Sequence, residues 1–346
     1  MMSNRCAVSR RVKLYTNTYM KTATFSPIRR ATPKPLTGVQ RPGRSWRERV
    51  QPVFWIAPAL LVLIYFTYLP ILLEICLSFF QADGFKPVTW AGWQNYAEAL
   101  QDQSFLPALL NNFWYGVLTV CGKISVALGL AVILNQSLRG IGIFRTVFFL
   151  PVVLSFVAVG IIWTLIYNYN YGIVNAALDW LRLGGWKQDW LGNPQLAFPC
   201  VVLVDLWKWT GFHVVIYLAG LQSIPGELYE AAAIDGAGLW QRFIRITVPL
   251  LKPFTAINVL LASLGALSVF DLVYVMTQGG PVKATNVVMI EVYNQAFQFN
   301  RFGYAAAMST ILLALIVVIS LLVLRLFRDR PETPSADARL QLRRST

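Results

Sequence analysis

Six apolar runs, each near the ~20 residues that carry a helix across a ~30 Å hydrocarbon core, constrain this chain more than any other feature. They are Phe54 to Phe80, Phe113 to Leu134, Thr146 to Tyr167, Phe198 to Leu221, Phe254 to Met276 and Tyr304 to Leu324. Of the 346 residues 56% are hydrophobic and 13% charged, with a mean hydropathy of +0.53, too apolar for a soluble chain with this much surface to cover. The expectation is an all-α membrane protein of about six transmembrane helices.

Lysine and arginine give an orientation, because cytoplasmic flanks retain positive charge and translocated loops lose it. The N-terminal tail holds 12, the loop at 135–145 holds Arg139 and Arg145, the loop at 222–253 holds Arg242, Arg245 and Lys252, and the C-terminal tail holds six. The alternate loops hold only Lys86, then Arg182 and Lys187, then Lys283 and Arg301. Both termini are therefore expected in the cytoplasm. The net charge of +14 is accounted for by this distribution along the membrane and calls for no nucleic acid. The four cysteines show no paired spacing and read as small packing residues.

Residues 1–50 are basic and carry no apolar period, so they are expected to be a disordered cytoplasmic tail, within which Met20 offers an alternative start. Residues 51–328 form the transmembrane domain and 329–346 a second tail. Loops 81–112 and 167–197 are rich in Trp and Tyr, as interfacial segments are, and should lie along the outer membrane surface.

The loop at 222–253 is long and patterned as helix. Pro225 and Glu227 suit a helix start, Glu230-Ala231-Ala232-Ala233-Ile234-Asp235 its body, and Gly236 its stop. From Leu239 a second helix would gather Trp240, Phe243, Ile244, Thr247 and Leu251 on one face and turn Gln241, Arg242 and Arg245 away, as in a helix lying flat on the inner membrane face. The short Ala-rich helix, with Glu230 and Asp235 for polar contacts, has a shape suited to docking in a groove.

Glu230-Ala231-Ala232, three residues, Gly236, nine residues and Ile246-x-Val248-Pro249 together resemble the signature loop of binding-protein-dependent ABC importer permeases. That loop reads E-A-A, three residues, G, nine residues, I-x-L-P, and Val248 in place of Leu is the one departure. The stretches at 218–253, 273–285 and 303–309 resemble the carbohydrate branch, of the maltose and glycerol-3-phosphate type, and within it the first permease of a pair. The resemblance implies a type I importer core in a bacterial-type cytoplasmic (inner) membrane. It also implies a second homologous permease, an ABC ATPase dimer that binds ATP and Mg, an extracytoplasmic solute-binding protein and a sugar-like solute. Glu230, Ala231, Ala232, Asp235, Gly236 and Pro249 would then couple this chain to the ATPase.

The chain itself has no Walker-type phosphate loop, since Gly122-Lys123 is followed by Ile124 inside a span. No cofactor, metal or catalytic residue is expected, and ATP hydrolysis is assigned to a partner. Intramembrane charges are costly and face protein or water. Asp205 and Lys208, three residues apart, read first as a structural pair and second as substrate contacts. Asp271 with Ser268 about 60° away on a helix, and Ser263 and Asn258 lower on the same run, are candidates for a wet path face for hydroxyl-rich solutes. His213, the one histidine, builds no relay with Asp205 and Lys208 together. The rival readings are an ion-driven secondary transporter, for which no ion-coordinating cluster or repeat is visible, and a membrane enzyme, for which paired carboxylates and histidines are too few.

Overall fold

The computed structural model describes residues 46–84, 86–136 and 141–328. Expectations for the start at Met20, residues 1–45, Arg139 and residues 329–346 lie outside them. By contacts the chain divides into a unit ending at Val62 and a second from Leu63 onward. In its described part the first unit is helix α1 (Trp46–Leu63) up to Val62, so the last five residues of the segment read as disordered tail are helical.

A π-turn at Ile64–Tyr68 leads into α2 (Leu69–Leu77). A hairpin of β1 (Phe80–Gln81) and β2 (Thr89–Trp90) follows, with Phe80 opposite Trp90, and then α3 (Gln94–Ala99). The long α4 (Phe105–Leu134) precedes α5 (Ile141–Val153), α6 (Phe156–Ile166), α7 (Ile173–Trp180) and the long α8 (Pro194–Gln222). The remainder is α9 (Gly226–Ile234), α10 (Leu239–Arg242), a π-turn at Phe243–Thr247, α11 (Val248–Leu250), α12 (Lys252–Leu267), α13 (Asp271–Thr277), α14 (Val288–Tyr293), a π-turn at Asn294–Gln298 and α15 (Phe302–Phe327).

Among the described residues four helices are long and apolar enough to cross a membrane: Trp55–Leu77, α4, α8 and α15. Two further spans exist if each bent pair is one span, Gly142–Val153 with Phe156–Ile166 bent by 102°, and Leu239–Leu250 with Lys252–Leu267 bent by 66°. The third run, expected as a single helix, is thus broken at Leu154–Ser155, and the fifth is broken at Ser268–Phe270, between α12 and α13, a separate interruption from the 66° bend at Leu251. Each break frees backbone carbonyls that hydrocarbon cannot satisfy, and in each a polar side chain takes them. At the first, Lys208 Nζ donates to the carbonyls of Leu154 (2.6 Å), Pro151 (3.3 Å) and Val152 (3.4 Å). At the end of α12, Asn112 Nδ2 donates to the carbonyl of Leu267 (3.0 Å), while its Oδ1 accepts from Val288 N–H (3.1 Å).

Proline explains two of the π-turns. Pro70 and Pro249 each stand two residues beyond one, and a proline has no N–H to donate and crowds the carbonyl four residues back, which the wider turn relieves.

The core is a seam between α4 and α8. On α4 the buried residues are Phe105, Ala108, Asn112, Tyr115, Thr119, Lys123, Ala127, Ala131 and Leu134, one stripe at helical spacing, with small residues where the helices approach closely. Against α8, helix α5 comes so near that a Cβ at Gly211 would overlap the backbone of Phe148. Beyond the seam, Val159, Val201, Val204, Leu272 and Ile290 join α6, α13 and α14 to α8.

Candidate functional site

Helix α9 starts after Pro225 (φ −61°, ψ 130°), with Glu227 in the first turn, where carboxylates favour the positive end of the helix dipole. It stops in a two-bond C-cap. Ala237 N–H reaches back to Ala232 C=O (2.8 Å) and Gly236 N–H to Ala233 C=O (3.1 Å), with Gly236 left-handed at φ +76°. The glycine stop expected from sequence is therefore formed, and a side chain at Gly236 would be strained although no atom blocks it.

The loop is held at its base. Tyr229 Oη lies 2.9 Å from Thr247 Oγ1, and Arg242 Nε donates to Ala237 C=O (2.7 Å). Arg242 is thus half-buried and folded back onto the loop, where sequence had pointed it away, because the carbonyl after the glycine stop needs a donor. Of the apolar face expected on the second helix, Thr247 and Leu251 are buried, but Trp240 remains 71% exposed. No residue of α9 is buried. Glu230, Ala231, Asp235, Gly236 and Pro249 are all exposed and Ala232 is half-buried, so the helix presents nearly its whole surface. Beside it lies an apolar cavity of about 610 Å³ lined by Val132, Leu221, Tyr229, Trp240 and Phe243.

The intramembrane polar residues are arranged otherwise than the sequence suggested. Asp205 and Lys208 do not pair with each other. Asp205 Oδ2 sits 2.6 Å from Lys123 Nζ across the α4/α8 seam, both side chains almost fully buried. That oxygen meets no hydrogen-bond geometry, so the contact is charge pairing. Lys208 instead faces the broken third span, with its ammonium 4.7 Å from the Phe156 ring and 5.4 Å from that of Trp209. The three-residue spacing allowed the first pairing, but Lys123 offered Asp205 a partner and the break offered Lys208 three carbonyls. Lys123 is the residue sequence reasoning passed over, although its place in the buried stripe of α4 marks it.

Asn258 is buried and engaged, its Oδ1 2.8 Å from His213 Nδ1. Ser263 donates to Val259 C=O on its own helix (2.7 Å) and borders an apolar cavity of about 300 Å³ with Phe113, Gly116 and Leu267. Ser268 and Asp271 are exposed on either side of the break after Leu267. The angular argument that set them on one helical face does not apply there, since Phe270 leaves helical geometry at φ −143°, ψ −65°. The structure brings Ser268 and Asp271 near the same break and separates them from Asn258, which belongs to the bundle interior. Among the described residues no cluster of His, Cys, Asp and Glu could hold a metal ion.

At the end of the molecule formed by segments 78–112 and 277–304, distant segments are tied by polar side chains. Arg301 Nη2 donates to both carboxylate oxygens of Glu98 (2.7 and 2.8 Å), Tyr304 donates to Asp102 (2.6 Å), Lys283 to Ser104 (2.6 Å) and Asn111 to Asn286 C=O (3.0 Å). The opposite end carries segments 134–136 and 221–251.

A family model described as "Binding-protein-dependent transport system inner membrane component" matches residues 123–331. The chain is 37% identical over 289 residues to the probable ABC transporter permease protein YurN of Bacillus subtilis, covering 83% of this chain and 99% of that one. It is 34% identical over 286 residues to the trehalose/maltose transport system permease protein MalF of Thermococcus litoralis (82% and 96% covered), and 35% identical over 280 residues to the lactose transport system permease protein LacF of Rhizobium radiobacter (80% and 93%). Its fold matches a crystal structure of a bacterial ABC transporter involved in the import of the acidic polysaccharide alginate, with a TM-score of 0.72 at 24% identity, over 82% of this chain and 96% of that chain. With apolar helices of spanning length, a glycine-stopped helix between two of them and relatives matched nearly end to end, the chain belongs to the family of inner membrane components of binding-protein-dependent transport systems, as an ABC importer permease.

Proposed function

We propose that this permease pairs with a second, homologous permease to import a sugar or sugar-like solute delivered by an extracytoplasmic binding protein. ATP and Mg are bound and ATP hydrolysed by a separate ABC ATPase dimer. Segments 134–136 and 221–251 face the cytoplasm with both termini, and α9 is the coupling helix. The observation that carries the reading is the exposure of α9: a compact helix with no buried residue, ended by a left-handed glycine and anchored at its base. Glu230 and Asp235 supply polar contacts, Ala231 and Ala232 let a partner backbone approach, and Pro249 marks the return into the bent span.

Movement of α9 with the closing ATPase would be passed through Thr247 and the 66° bend to α12, rocking the bundle between inward-facing and outward-facing states. Relatives named for trehalose/maltose and lactose transport support the sugar class. Ser268 and Asp271, exposed at the break beside Phe270 and Tyr274, are the residues of the sequence-based set best placed to meet a solute. Asp205 and Lys208 serve the scaffold. A cation-driven mechanism finds little support, because the carbonyls freed at the third span are already taken by the tethered ammonium of Lys208.

The test is purification of the full chain from its native membrane in mild detergent, with mass spectrometry and an ATPase assay. An ABC ATPase and a second permease should be recovered. In the reconstituted complex, Gly236→Val forces a branched side chain into left-handed backbone, a strain of about 1–2 kcal/mol or more. ATP hydrolysis stimulated by the loaded binding protein should fall at least tenfold, on the order of that strain, with membrane insertion intact. Unaltered stimulation would remove α9 from the coupling role.

A further inference from the structure

After α13 the chain passes through Gln278 and Gly279, both left-handed, into α14 and the π-turn at Asn294–Gln298. Residues Glu291, Asn294 and Gln298 recur there at spacings of three and four, as do Tyr293 and Phe297 on the neighbouring face. The first set, with Gln278, Asn286 and Phe299, lines a cavity of about 270 Å³ at the polar end of the molecule.

Its chemistry is specific. Glu291 is only 5% exposed, and its two carboxylate oxygens accept from Asn286 Nδ2 (3.0 Å) and Gln295 Nε2 (3.3 Å), which fixes the group and leaves lone pairs free. The side-chain amides of Gln278, Asn294 and Gln298 have no hydrogen-bond partner among the described residues, although each can donate two bonds and accept others. Phe299, 60% exposed, supplies an apolar ring face to the lining.

On the adjoining face aromatic rings run without a gap back to the break at Asp271. Phe270 stacks on Tyr274 at 5.1 Å, Tyr274 meets Tyr293 at 5.2 Å, and Tyr293 meets Phe297 at 5.3 Å. Unpartnered amides, a fixed carboxylate and flat apolar faces are what a polyhydroxylated ring requires, since its hydroxyls need both donors and acceptors and its C–H faces pack on aromatic rings.

The geometry points to a second solute site in this permease, an outer carbohydrate subsite at Gln278, Asn286, Glu291, Asn294, Gln298 and Phe299, joined to Asp271 by the aromatic row. It rests on the sugar-importer reading. A solute released by the binding protein would be held here before it reaches the break in the fifth span.

The experiment uses the complete complex in proteoliposomes with radiolabelled maltose, trehalose and lactose, each presented by the binding protein. Uptake is measured first. A photoreactive p-benzoylphenylalanine is then placed at position 299, and in a separate complex at Val282, which is 90% exposed in the same loop and outside the cavity lining. The expected result is labelling by a transported sugar at 299 and not at 282, competed by the unlabelled sugar. Asn294→Ala with Gln298→Ala should lower it about fivefold or more, the effect of one or two lost hydrogen bonds. Uptake of a sugar without labelling at 299 overturns the subsite and leaves the importer reading standing. Labelling of the binding protein's polypeptide in place of sugar overturns it too, by making the cavity a docking contact. If none of the three sugars is taken up, the importer reading falls for these solutes and the subsite falls with it.

Discussion

The two ends of the bundle are built on opposite principles. At the end carrying 78–112 and 277–304, segments far apart in sequence are stitched by Arg301 to Glu98, Tyr304 to Asp102, Lys283 to Ser104 and Asn112 to Leu267 and Val288, with Asn95, Asn112 and Glu291 buried. At the other end α9 has no buried residue and Ile234 is 88% exposed. One end ties its distant segments together through polar contacts within the chain. The other leaves a helix standing out beside an apolar cavity, held among the described residues by the Tyr229–Thr247 hydroxyl pair and by Arg242. Under the proposed coupling role, the exposed end is the part that a partner moves and the stitched end the part that stays in register.

The two ends are joined through the α4/α8 seam, which holds the buried Lys123–Asp205 pair. Removing one member leaves an uncompensated charge in the bundle. Lys123→Met should therefore cost about 3–5 kcal/mol, while Lys123→Met with Asp205→Leu should recover most of that loss. Thermal melts of the purified permease in detergent measure both, and a single variant that melts like the parent would mean the seam is held by other contacts.

The ends themselves can be compared next. Asn112→Ala strands the Leu267 carbonyl and the Val288 N–H in the interior, for about 1–3 kcal/mol. Tyr229→Phe removes a half-exposed hydroxyl pair, worth about 0.5–1.5 kcal/mol at most. Hydrogen exchange should quicken across 266–290 in the first case and only across 226–247 in the second. Equal, global quickening in both would erase the distinction between the two ends.

Much of this was legible in the sequence. Apolar run length gave the four unbroken spans, and the glycine stop of α9 followed from Gly236, because both signals are local. The breaks at 154–155 and 268–270 were not, since Ser155, Ser268 and Phe270 look like ordinary span residues. The polar groups that make the breaks tolerable, Lys208 and Asn112, lie more than 50 residues away from them in the chain. Pairing errors had the same origin. Spacing along α8 offered Asp205 and Lys208 each other, and only the packing of α4 and α5 against that helix supplied better partners. The candidate path was read as one helical face, and the break in the fifth span divides it.

Acid gives the mildest test, and it acts on one end alone. Burial by itself would raise the pKa of Asp102, yet donation from Tyr304 Oη and from the backbone N–H groups of Ser104 and Phe105, with the charge of Lys283 nearby, brings it below its ordinary 3.8. A carboxylate whose folded pKa is depressed adds stability that is fully present above its unfolded pKa and is lost as pH falls through the folded one. Exchange around Asp102, Ser104 and Tyr304 should thus accelerate as pH drops below about 4, after correction for the intrinsic rate, and Asp102→Asn should flatten that dependence. Segment 226–236, at the far end of the bundle and outside this network, should show no matching step. An equal step at both ends would mean that acid loosens the whole bundle, and the stitched end would then owe none of its stability to Asp102.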